Sequence, residues 1–576
     1  MTRRRQIYPV APDVLVPVLD LIRKNNQVPT AFPQGATQEA QQSAERWQQW
    51  ERQLHPQVSV AAAGGGAQAE KPWQVVPLQV GDGSAIPADY PPTYPRLDGT
   101  AIPLVTIDPP ESKDLDQAIA IAKVSDLPEE ALAGQHEVPE HVTQLRHQDA
   151  PAKAKYLLAY SIAALSCFVE PGSELDAEVH ARGNTLYFPD GSVPLHPREL
   201  SAGAASLLPG QVTPSFLWRI ALDEEGQVVS WRVDLAAVIS RAQLDYQQVQ
   251  DAVDGKGKLP PAADPALPAL LQELGLLRIE REQDRGGVSL PLPEQEVEKL
   301  RGGYQLRFRA SLPVENWNAH MSLLTGMCAA AGMRRLGVGV VCTLPPAKNE
   351  DVARLRRAAR ALGVSWPLEM SYPQLVPTLD EANPAHNAFM DRAASLFRGS
   401  GYLVYGPAIG GRDPIGELFP VQDRRVVHSA IAAEYAHSTA PLRRLVDRFS
   451  LELAWADTRR QDAGGGAAEE FIPGWVLDAL PQLPSEMGKA RQAGAKNEKE
   501  VIAAMEALTL SGHEGETYSG VILDAKEHSG HIMLSDPAIM APVEGEDLPV
   551  GERVEVDLTK ADLEKRQVAF ALARAA

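Results

Sequence analysis

Residues 101–122 place three aspartates between two apolar runs: AIPLV, then TIDPPESKDLDQ, then AIAIA. This pattern restricts the fold more than any other stretch of the chain. IPLVTID reads as a strand that ends at Asp108. AIAIA reads as a buried strand. DLD between them is extended, so Asp114 and Asp116 face the same side. The hairpin therefore carries Asp108, Asp114 and Asp116 towards one point. Left alone, such carboxylates repel one another and raise their own pKa values. A hard divalent cation would relieve that repulsion, because magnesium takes one or two carboxylates and completes its shell with waters and phosphates. An exposed acidic turn with Asp caps would account for the same residues.

The chain has 576 residues, which predicts three or four domains. VLVPVLDLIRKNN (14–26) and QEAQQSAERWQQWERQL (38–54) have helical spacing, with Trp47 and Trp50 on one face. AAAGGGAQAE (61–70) reads as a flexible linker and WQVVPLQV (73–80) as a strand. Residues 1–70 are thus expected to form a small helical domain. A helix-turn-helix with a strand wing is one reading of it, and a plain helical prop is the other. Residues 71–99 form a strand-containing transition. Residues 100–510 alternate strands and helices. Residues 515–576 hold five short strands separated by turns, the pattern of an OB-fold barrel. The fold class expected is α+β multidomain: a small N-terminal helical unit, a large mixed α/β body and a C-terminal β-barrel.

A formal net charge of −20 argues against a protein that coats nucleic acid through its whole surface. It leaves room for a local basic channel. Arginines cluster at 354, 356, 357 and 360, at 307 and 309, at 424 and 425, and at 443, 444 and 448; any one cluster could be a solvated helix face. Cys167, Cys328 and Cys342 are too scattered for a disulfide framework or a CxxC metal site, and read as buried thiols in a reducing cytoplasm. No run of about 18 apolar residues predicts a membrane span. No GxGxxG, GxxxxGK[ST] or HExxH occurs in a suitable context, so no nucleotide cofactor is expected.

A second stretch, EYAHSTAPLRRLVDR (434–448), sets Pro441 before a helix expected to begin at Leu442, Arg443 and Arg444. An arginine at such a point can hold a phosphate bidentately as charge builds. Carboxylates, a cation and a placed arginine make a phosphoryl-transfer set.

Together these stretches resemble the ribonuclease II, or RNB-domain, family of 3′-to-5′ exoribonucleases. That family carries TID, five residues, then DxDD and a small residue; here it is TID-PPESK-DLDQA. Its YxHFTSPIRRYxDL matches YAHSTAPLRRLVDR, and its PGSxLDxEAxxRG segment matches PGSELDAEVHARG within 167–201. SRAQLDYQQVQDAV (240–253) resembles its AKLxYxxVQ. The resemblance implies that Asp108, Asp114 and Asp116 hold Mg2+, with Mn2+ as a substitute and Asp116 the most critical. It implies that Arg443 touches the scissile phosphate region, with Arg444 beside it on RNA. Phe168 would stack on bases, Tyr246 would line the same cavity, and Glu498 would lie near the last nucleotides. The expected protein is a cytoplasmic monomer that hydrolyses single-stranded RNA from its 3′ end to nucleoside 5′-monophosphates.

Three departures stand out. Gln117 replaces the fourth aspartate and is a weaker metal ligand. AHMSLLTG (319–326) replaces an acidic helix. The first 95 residues lack the pattern of cold-shock domains. A catalytically weakened RNA-binding protein with the same fold is the alternative.

Overall fold

The computed structural model describes residues 9–58, 71–81, 83–138, 153–290, 294–380, 383–406 and 427–573. The linker at 61–70 and the Arg424–Arg425 pair lie outside the described residues.

The body is built on one sheet with the order β1 (Val76–Pro77), β2 (Leu97–Asp98), β8 (Val228–Ile239), β7 (Val212–Leu222), β5 (Tyr156–Ala163) and β4 (Gln117–Lys123), with His136–Glu137 paired to β8. Outside this sheet, β3 (Thr106–Ile107) runs parallel to β9 (Gln243–Leu244), and β6 is Leu186–Phe188. The central strand β7 is buried along its whole length, as expected of a strand covered on both faces. The alternation along β5 sorts its side chains. Tyr156, Leu158, Tyr160 and Ile162 enter the main core, while Leu157 and Ala159 enter a smaller one on the opposite face.

Helices cover the main-core face. α6 (Pro313–Leu336) is apolar around most of its circumference and packs between α5 (Leu267–Arg285) and α9 (Leu445–Asp462). The five C-terminal strands close a barrel in the order β12 (Thr517–Ala525), β13 (Ser529–Ser535), β14 (Ala538–Glu544), β16 (Gln567–Leu572), β15 (Arg553–Asp562). The long helix α10 (Leu483–Leu510) joins body to barrel. A hairpin, β10 (Glu294–Leu300) and β11 (Gly303–Arg309), packs against both α10 and β14. Glu506 locks that joint by accepting hydrogen bonds from Gln295 Nε2 (2.8 Å) and the Met540 amide (3.0 Å).

The N-terminal helices form close to where their spacing placed them, as α1 (Pro12–Asn25) and α2 (Gln34–Glu51). They do not make a winged helix-turn-helix. Leu15, Leu19 and Ile22 of α1 join the core shared by α10 and the barrel. Ala36, Ala40, Ala44 and Trp47 of α2 join the main core, against α3 (Glu174–Arg182). The expected wing shrinks to Val76–Pro77, which pairs with β2 in the central sheet. The apolar stripe of each helix is satisfied by the body rather than by its neighbour, so the two act as separate straps.

Trp47 is the anchor of the second strap. Its ring is 1% exposed and Nε1 donates to the Val212 carbonyl at 3.0 Å. Trp47→Ala should therefore destabilise the whole body by about 3–5 kcal/mol, measured as a lower urea midpoint. A loss below about 1 kcal/mol would mean that α2 is dispensable to the body.

Candidate active site

Local pairing explains why the aspartates meet. Asp108 follows β3, and its amide donates to the Leu244 carbonyl at 3.0 Å. Next to Leu244, Asp245 caps α4 (Tyr246–Val253) with a capping box closed by Gln248, which sets Tyr246 beside Asp108. Leu115 turns into the smaller core, so Asp114 and Asp116 turn the other way, as the alternation predicts. Asp108, Asp114, Asp116, Asp245 and Tyr246 line one cleft of about 770 Å3, together with Gln117, Tyr187 and Arg443.

Arg443 arrives from far along the chain. The helix after Pro441 starts only at Leu445, three residues later than the sequence suggests. Residues 440–444 form a tight turn in which the Arg443 and Arg444 amides both donate to the Ala440 carbonyl. Asp447 clamps the turn: its carboxylate accepts from the Ala440 amide at 2.7 Å and from two nitrogens of Arg444. The Leu442 amide is left to donate to Asp116 Oδ1 at 2.7 Å, while Arg443 Nε donates to Asp116 Oδ2 at 3.2 Å. Two glycines allow the close approach. Gly183 has a positive φ of 67° and accepts from the Leu445 amide. Gly326 accepts from the Ala436 amide, and a Cβ on it would meet the Tyr435 ring at 2.2 Å.

The electrostatics are those of charges taken out of water. Burial pushes the Asp116 carboxyl up to about 8 against the pull of Arg443, and pushes Asp108 up to about 7; the charge of Asp114 raises both. Asp108 Oδ2 is buried with no hydrogen-bond partner among the described residues. Asp114 accepts from the Tyr187 hydroxyl at 3.2 Å. An all-oxygen donor set with an orphaned carboxylate oxygen fits a hard divalent cation. It is not a finished cage: among the described residues no three His, Cys, Asp or Glu side chains converge on one point. The aspartates share a cleft without closing on one ion, so waters and a phosphate would have to complete the shell.

Gln117 has a different task from the one expected. Its Nε2 donates to the Thr439 carbonyl at 2.5 Å, and its Oε1 accepts from the Tyr160 hydroxyl at 2.8 Å. The carbonyl fixes which end of the amide is nitrogen, because a carbonyl can only accept. Gln117 thus ties β4 to the loop that carries Arg443.

The residues expected to bind RNA divide. Tyr246 lines the cleft. Phe168 does not: it is 3% exposed in the main core, where no base can stack on it. Arg444 does not line the cleft either, because its guanidinium is paired with buried Asp447. Glu498 is exposed on α10, outside the cleft lining. Sequence reading missed Tyr187, whose 56% exposed ring stands beside Asp114. It also missed the hairpin as a cleft wall. Arg307 and Arg309 line it, paired with Glu296 and, for Arg309, with Glu315 at 2.8 Å. The arginine doublet was the only signal for that wall.

A family model described as the RNB domain matches residues 96–453, and one described as the RNase II-type exonuclease C-terminal S1 domain matches residues 516–573. Ribonuclease R of Aquifex aeolicus (strain VF5) is 25% identical over 434 residues, covering 72% of this chain and 53% of its own. Ribonuclease R of Escherichia coli (strain K12) is 20% identical over 515 residues, covering 83% and 57%. The chain spans about half the length of these curated relatives. Among solved structures, the apo form of Mycoplasma genitalium RNase R superposes with a TM-score of 0.67 at 19% identity, over 84% of this chain and 72% of that one. Yeast Ssd1, described as a pseudonuclease, superposes with a TM-score of 0.56 at 15% identity, over 79% and 50%. At such identities the structural likeness is one of fold.

Two measurements check the site's energetics. Asp108 and Asp116 hold protons more tightly folded than at the ordinary carboxyl value of 3.8. Their contribution to stability is complete below that value and is lost as pH rises through the folded pKa values. In chelator, the unfolding temperature should fall between about pH 4 and pH 8, and Asp116→Asn should flatten that fall. An unchanged slope would contradict it. Gln117→Glu removes the donor to Thr439, and despite adding a carboxylate it should cost about 1–3 kcal/mol in urea unfolding.

Proposed function

The chain belongs to the RNB domain family, and on that premise we propose that its cleft hydrolyses single-stranded RNA from the 3′ end, releasing nucleoside 5′-monophosphates without regard to sequence. The observation that carries this reading is the coupling of Asp116 to the Arg443 turn beside the unpartnered Asp108 oxygen. Carboxylates that hold a cation and a guanidinium aimed at the same cleft are what a phosphodiester requires.

Asp108, Asp114 and Asp116 are the side chains that would hold magnesium, with manganese as a substitute, and the bound ion supplies Lewis acidity and water activation. The chain's own residues do the rest. Arg443 spends only Nε on Asp116 and keeps its side chain 46% exposed, so its two terminal nitrogens can meet a phosphate as a fork. The Leu442 amide fixes the orientation of Asp116, so the carboxylate does not need to reorganise as charge develops. Tyr246 and Tyr187 both line the cleft, and stacking on aromatic rings there suits any sequence. Relatives named Ribonuclease R and Exoribonuclease 2, and a Mycoplasma genitalium RNase R solved with ribose methylated single-stranded RNA, support the choice of RNA.

The test is a time course on 5′-labelled single-stranded RNA with magnesium. A ladder shortening from the 3′ end is expected, abolished by chelator and slowed at least about 100-fold by Asp116→Asn. A matched DNA oligomer should stay intact. RNA that is bound in a gel-shift yet uncut would favour a binding protein with an inactive cleft.

A further inference from the structure

A second concavity lies apart from the cleft. It has a volume of about 920 Å3 and forms where α7 (Asn349–Ala361) and α8 (Pro384–Ala394) meet barrel strand β12. Its floor is apolar, made of buried Leu355, Ala358 and Leu396. Its rim is basic. Lys348 precedes α7, Arg354 lies on α7, Arg392 is in the last turn of α8, and Arg398 follows that helix.

What these cations do not do is informative. Arg354 is paired with Asp351. Lys348, Arg392 and Arg398 form no ion pair among the described residues. The barrel's acid at this rim, Asp524, accepts from the amide and ring of His531. Arg356, on the same helix, behaves otherwise. It donates to the carbonyls of Pro367, Leu368 and Met370 and stacks on Trp366 at 4.3 Å. An arginine with a structural task in this region is therefore recognisable, and among the described residues Lys348, Arg392 and Arg398 show none. A solvated helix face does not describe them, because they come from separate segments around one trough.

On a chain of net charge −20, such a gathering of unpaired positive charge selects an anion. The cations come from separate segments lining a trough of about 920 Å3, more than one phosphate fills, so an extended polyanion fits better than a compact one. The barrel also links the trough to the cleft: β12 packs on α8, while β14 packs on β11, whose Arg307 and Arg309 line the cleft. We propose that this trough holds the phosphate backbone of an RNA strand upstream of the 3′ end that occupies the cleft; the inference rests on the reading of the cleft as an RNA site. The contacts are to phosphates, so they are salt-dependent and blind to sequence.

The test is fluorescence-anisotropy binding of single-stranded RNAs in chelator, with lengths of about 6 and about 30 nucleotides. The proteins are the full chain, the triple variant Lys348→Gln/Arg392→Gln/Arg398→Gln, and Asp351→Asn, which frees Arg354. The triple variant should weaken the long RNA roughly tenfold or more and lower the slope of log K against log salt by about 2, that is, about 0.7 for each lost cation. The short RNA should bind all three proteins alike. Asp351→Asn should bind the long RNA more tightly, an outcome that misfolding cannot imitate. Long-RNA affinity and salt slope unchanged in both variants would overturn the proposal while leaving the cleft intact. Failure of the unmodified chain to bind either RNA would instead remove the reading of the cleft. An acidic peptide that binds through the same three residues while long RNA does not would also overturn it.

Discussion

The carboxylate of Asp116 is the point on which the rest of the molecule converges. It is buried at the start of β4 and is held by an amide and a guanidinium from a turn more than 300 residues later. Neither partner can be there unless much else is in place. Gly183 and Gly326 let backbone approach backbone, Asp447 closes the turn, and Gln117 ties the neighbouring strand to the Thr439 loop. A charge so deeply buried is costly unless it is paired. The protein keeps that pair inside a cleft that opens to solvent, where a phosphate or a cation can reach it.

Charge is handled differently in different places. The chain as a whole is acidic, yet its positive groups are not spread evenly. Some are spent on structure: Arg444 on Asp447, Arg335 on Asp457, Arg448 on Asp176. Others are left partly open, such as Arg443 in the cleft and, in the trough beside the barrel, Lys348, Arg392 and Arg398, which form no ion pair among the described residues. This division leaves local positive surfaces on a chain whose overall charge would repel an anion.

The errors of sequence reading share one cause. Phe168 and Arg444 sit in segments that were matched well, but a matched segment does not say which way a side chain turns, and Glu498 lies outside both matched stretches. Phe168 follows a single 3-10 turn and points into the core. Arg444 is one residue from Arg443 and faces the opposite way, because Asp447 lies on its side. Tyr187 went unnoticed because an aromatic in a short strand looks like core until its exposure is known. Gln117 looked like a poor ligand; its amide proved to be the better group for a site that needs both a donor and an acceptor.

By itself, the sequence determined the buried strand that follows the aspartates, the side on which Asp114 and Asp116 fall, and the barrel. These are set by local alternation, by Pro and Gly, and by spacing within a few residues. Tertiary structure alone decided that α1 and α2 are straps, that the β10–β11 hairpin walls the cleft, and which of two adjacent arginines meets the aspartate. Those choices depend on contacts between residues hundreds apart, where burial and pairing outweigh any preference that a short stretch can express.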